Sequence, residues 1–190
     1  KNSTNSFLGT CRALHTYKTS TLASYNSLGT HLKWYIQEGN TFYDITPVDN
    51  TTAAGDVTFT AASGSTSLTV NDTAHNANPG DFVIFSGAVA VGGNITADVL
   101  NQEYQIQTTT TNTYTVTLAQ ASDHTGSGGG SNTVGTYLYG SGLDVFVAGT
   151  GWGAGQWGQS TWGSTSPVAV FSQLRLWSID NFGEDLVAVP

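Results

Sequence analysis

Between residues 55 and 120 the chain runs as a series of short alternating segments, each closed by a turn signal within a few residues. GDVTFTA and TSLTV carry apolar side chains at every second position and are separated by Ser63-Gly64-Ser65, the pattern of a β-hairpin. DTAHNANPGD follows, with Pro79-Gly80 as strong turn punctuation. DFVIFSGA reads as a buried strand and AVGGNITADVLNQ as a loop. EYQIQTT and NTYTVTLA read as two more strands, alternating at Tyr104 and Ile106, then at Tyr114, Val116 and Leu118. About five short strands spaced by about ten residues indicate a small β-sandwich or barrel. Its expected core is Val57, Phe59, Leu68, Val70, Phe82, Ile84, Tyr104, Ile106, Tyr114 and Val116.

Outside that stretch the pattern is again one of strands. In residues 28–47, Leu32, Trp34 and Ile36 alternate with Lys33, Tyr35 and Gln37. Gly39-Asn40 supplies a turn, and Phe42 to Ile45 returns before Pro47 ends the run. Residues 1–23 show no regular period, and DHTGSGGGSN (123–132) reads as a flexible linker or exposed loop. Strand-like context resumes at Tyr137, Tyr139, Val145 and Val147. Two final strands are expected at about Ser172–Trp177 and Asp185–Val189, with a turn at Asp180 to Gly183. No helix of ordinary length is expected. The domain reading is a body formed by 1–50, with its hairpin, and by 134–190, with its C-terminal strands and a Trp/Gly-rich loop. Residues 51–133 are an inserted β domain, entered and left through polar segments.

Charged residues make up only 9% of the chain, against roughly 25% in an ordinary soluble domain. Thr, Ser, Asn and Gly take their place, and Thr suits strands sterically. Thirteen acidic against five basic residues give a formal charge of -8, which opposes phosphate binding. The same balance is compatible with a conduit through which DNA slides without being held. Cys11 is the single cysteine, which excludes an internal disulfide. No run is long enough to cross a bilayer, and no signal peptide opens the chain. The chain starts at Lys1 and contains no Met, so an internal fragment of a longer protein is expected.

Catalytic, cofactor and metal sites find no pattern here. His15, His31, His75 and His124 share no ligand spacing. His75 reads as a turn histidine, within reach of Asp72 or Asp81. Asp56, Asp72, Asp81 and Asp98 follow no calcium-loop pattern. Glu103, Glu184 and Asp185 are not brought together as a glycosidase pair. GSGGGS lacks the Lys-Ser/Thr that a phosphate loop needs. Asn-x-Ser/Thr triplets at Asn2, Asn50, Asn71 and Asn94 are expected by chance in so Thr-rich a chain. The remaining feature is GWGAGQWGQSTW (151–162), where Trp152, Trp157 and Trp162 alternate with glycines. Such a loop either seats its rings at an interface, the favoured reading, or offers them to carbohydrate.

Three stretches carry a resemblance. LGTHLKWYIQEGNTFYDITP, through Gly29, Thr30, Leu32, Tyr35, Asp44, Ile45, Thr46 and Pro47, resembles a recurrent segment of the tail nozzle proteins of short-tailed bacteriophages, the relatives of tail tubular protein B. GWGAGQWG followed by LRLWSIDNFGEDLVAVP resembles a later part of the same proteins, through Trp177, Asp180, Asn181, Phe182, Gly183, Glu184, Asp185 and Leu186. HNANPGDFVIFSGAVAVGGNITADVLNQEYQI with NTYTV resembles a small β module inserted in phage structural proteins. The resemblance implies an all-β fold, a partial β-propeller-like body with an inserted small β-sandwich or barrel domain. It implies a structural virion protein of the tail, not an enzyme, contributing to the nozzle ring and DNA-ejection channel. The expected partners are copies of itself in a homo-oligomeric ring, other phage tail proteins, and DNA in transient passage, with no cofactor and no membrane anchor. The alternative, from another class, is a carbohydrate-binding module of a tail-associated or secreted adhesin.

Overall fold

The computed structural model describes residues 3–140 and 176–189, and these are all-β apart from one four-residue helical turn. The chain divides into two compact units: a flanking unit built from 1–45 with 141–190, and a central unit, Thr46–Gly140.

The flanking unit opens with five antiparallel strands: β1 (Ser3–Thr4), β2 (Cys11–Lys18), β3 (Ser24–Thr30), β4 (Trp34–Glu38) and β5 (Thr41–Asp44). Their order is β1-β5-β4-β3-β2, so β2 to β5 form a meander with β1 added beyond β5. The β4–β5 hairpin turns at Gly39-Asn40, where the alternation places it. One face buries Leu28 and Tyr35, with Phe7 against Tyr35 and Phe42 at 6.3 and 5.2 Å. Strand β2 lies where the sequence shows no period. It is the last strand of the order, covered only in part on either face, and a register shift between Cys11 and Ala13 breaks its alternation.

The central unit holds β6 (Val48–Thr51), β7 (Thr58–Ala61), β8 (Ser67–Asn71), β9 (Phe82–Ser86), the turn α1 (Ala97–Leu100), β10 (Glu103–Thr109), β11 (Thr113–Thr117), β12 (Gly126–Gly128) and β13 (Val134–Leu138). Eight strands pair antiparallel in the order β12-β7-β8-β11-β10-β9-β13-β6. Strand β10 is shared: Glu103 to Gln105 pair with β9, whereas Ile106 to Thr109 pair with β11, with a register shift between Ile106 and Thr108. Phe59 of β7 meets Phe85 of β9 edge-on at 5.0 Å although other strands separate them in the order, so the sheet folds over a common core. Among the described residues no ladder joins β12 to β6.

That core contains Val57, Phe59, Leu68, Val70, Tyr104, Ile106, Tyr114 and Val116 as expected, but β9 has the opposite phase. Val83 and Phe85 point into it, while Ile84 is only half-buried and Phe82, though buried, lies outside the cluster. Every position from Phe82 to Phe85 is apolar and at least half-buried, so both faces of β9 are covered, and a continuous apolar run carries no phase information. The Gly/Ser stretch is also not simply a linker: Gly126–Gly128 form β12 against Phe59 to Ala61.

The C-terminal hairpin, β14 (Ser178–Phe182) and β15 (Asp185–Val189), belongs to the flanking unit and pairs in five unbroken steps. Its turn lies at Gly183-Glu184 rather than from Asp180 to Gly183, since Asp180 and Asn181 remain in the ladder and Gly183 supplies the positive φ of +65°. Of the expected strand Ser172–Trp177, only Leu176 and Trp177 lie within the described residues, and neither is in a strand.

Candidate assembly site

Strands β3 and β4 are joined by a tight turn that Thr30 closes. Its Oγ1 accepts from the N–H groups of Leu32 and Lys33 and donates to the Lys33 carbonyl. The Thr30 carbonyl accepts from the indole Nε1 of Trp177 at 2.7 Å. Trp177 also stacks on Trp34 with ring centroids 5.6 Å apart, and Trp34 donates from Nε1 to Ser27 Oγ at 2.7 Å. The space for this ring exists because position 29 is glycine: a Cβ there would lie 2.2–2.3 Å from the Trp177 indole. Trp177 is left 6% exposed, so the site is a socket of Gly29, Thr30 and Trp34 filled by one aromatic side chain.

Two polar contacts flank the socket. His15 Nε2 lies 2.9 Å from Asn181 Oδ1, and the Ser20 backbone N–H donates to the Glu184 carboxylate at the hairpin tip. Hydrogen bonds from the side chain and backbone of Ser20 hold the Glu184 carboxyl below the usual carboxylate range. On the other side of the sheet Lys33, only 3% exposed, pairs with Asp44 at 2.8 Å. Around these contacts the flanking unit leaves large apolar side chains in water: Phe182 is 84% and Leu22 79% exposed, and Leu14, Leu176, Val187 and Val189 are exposed as well. Leu22 is held at a φ of +64°, a strained conformation for a branched residue.

The central unit buries a polar chain. Tyr137 donates its hydroxyl proton to Asp72, and its oxygen lies 2.9 Å from the Tyr114 hydroxyl. Each hydroxyl has one proton, so Tyr137 accepts from Tyr114 while donating to Asp72. Burial pushes both phenols up from their ordinary value, reinforced at Tyr137 by Tyr114 and at Tyr114 by the Asp72 charge. His75 stands edge-on to Tyr114 at 4.9 Å. It meets neither Asp72 nor Asp81 by hydrogen bond: its Nδ1 accepts from the Ala77 N–H and its Nε2 faces the Thr110 carbonyl, a turn histidine. Asp56 and Asp81 likewise accept backbone N–H groups of their own turns, from Ala53 and Asn78. Among the described residues no group of His, Cys, Asp and Glu is arranged to hold a metal ion. None of their helices is long and apolar enough to cross a membrane.

The chain's five Lys and Arg residues are Lys1, Arg12, Lys18, Lys33 and Arg175, and none lies in the central unit. That unit carries Asp49, Asp56, Asp72, Asp81, Asp98, Glu103 and Asp123 without one permanent cation, so it has nothing with which to neutralise a phosphate backbone. This partition is legible in the sequence once the unit boundaries are known. Trp152, Trp157 and Trp162 lie outside the described residues. The socket residues are visible in sequence only as separate motif positions, and the Asp72–Tyr137 pair joins positions 65 residues apart with no shared pattern. Comparison of the chain with protein-family models, with curated proteins and with solved structures finds no match.

Proposed function

We propose that this chain is a structural component of a bacteriophage tail, one subunit of the nozzle ring around the DNA-ejection channel. The observation that supports the reading most is the Trp177–Thr30 hydrogen bond. It brings together, across 147 residues, the two motif segments that carry the resemblance to nozzle proteins. The two segments also meet where Gly29 makes room for Trp177, and the second segment reaches His15 and Ser20, outside the motifs, through Asn181 and Glu184. The meander β2 to β5 is a four-stranded antiparallel sheet, the unit from which propellers are assembled, and it fits a partial propeller-like body. The central unit fits a small inserted β-sandwich. A channel wall must let DNA slide, and a unit with acidic side chains and no Lys or Arg does not hold it. Native mass measurement and particle imaging test the reading. A closed ring located in the virion tail is the expected result, and a persistent monomer from an intact preparation overturns it.

A second reading, a carbohydrate-binding module, draws on the half-buried row of His15, Tyr17 and Tyr25 on β2 and β3, whose rings lie 6.4 and 5.8 Å apart. Quenching of Trp and Tyr fluorescence across a panel of bacterial surface glycans tests it, and no response to any glycan removes it.

A further inference from the structure

We draw no further inference here: the strongest candidate, the uncharged row of hydroxyl side chains that Ser127, Thr60, Thr69, Thr115 and Thr108 form in register across β12, β7, β8, β11 and β10 of the central unit, is a surface stripe of small polar residues, and nothing in the structure shows what covers it.

Discussion

Trp177 and Thr30 are joined by a 2.7 Å hydrogen bond from the indole N–H to a backbone carbonyl, with 147 residues of chain between them. The contact makes Gly29 a structural requirement. A methyl group at position 29 cannot coexist with the Trp177 ring, which it would approach to 2.2–2.3 Å. Gly29→Ala is therefore expected to expel Trp177 from its socket. Loss of the near-ultraviolet circular dichroism of the Trp34–Trp177 pair and a red-shifted fluorescence maximum would register it. An unchanged aromatic spectrum would show that the ring never occupies that seat.

Lys33 and Asp44 form an ion pair that is almost wholly removed from water, with side-chain exposures of 3% and 13%. Replacing Lys33 takes one buried counter-charge away from Asp44, a loss of up to about 3–5 kcal/mol for buried pairs. Lys33→Met should destabilise the flanking unit on this scale in urea denaturation. The double replacement Lys33→Met with Asp44→Leu should recover much of the loss, since an apolar pair needs no counter-charge. A double variant no better than the single one would contradict this account.

Tyr137→Phe removes the donor to Asp72 and the acceptor for Tyr114 while keeping the ring. A buried carboxylate left without its donor is expected to cost about 1–3 kcal/mol, read as a lower urea midpoint of the central unit. The two tyrosines also set an alkaline limit. Their folded pKa values lie above the ordinary 10.0, so folding favours the protonated phenols. The contribution is complete below pH 10.0 and is lost as pH rises further, where the unfolded chain ionises first. Wild type should therefore lose stability more steeply than Tyr137→Phe above that pH.

Glu184 has the opposite sign. Its folded pKa is lowered by Ser20, so its contribution is present above the ordinary value of 4.5 and fades as pH falls through the lower, folded value. The joined tips of the β2–β3 and β14–β15 hairpins should loosen in acid, detected as a lower protection factor of the Ser20 amide, its exchange rate corrected for the intrinsic slowing of exchange in acid. Glu184→Gln should show a lower protection factor already at neutral pH and little further change in acid. Equal acid sensitivity in both proteins would place the titrating group elsewhere.

Strand pairing is legible in this sequence where one face is dry and the other wet. The hairpins β4–β5 and β7–β8, and the alternation of Tyr114 and Val116, follow from that contrast. Legibility fails at both extremes of burial. Strand β9 is apolar throughout, so Val83 and Phe85 cannot be told from Phe82 and Ile84 by pattern. Strand β2 is an edge with neither face fully covered, so Leu14 is exposed and no period survives. The socket was hidden for another reason. Gly29 and Trp177 each follow local rules, and only the fold makes one the condition of the other.

Strand β10 gives its first half to β9 and its second half to β11, with the irregularity at Ile106 marking the exchange. Whatever unzips one side of this strand removes the template for the other. The eight strands of the central unit are thereby bound to a common fate, and the amides of β9 and β11 should open with one shared free energy.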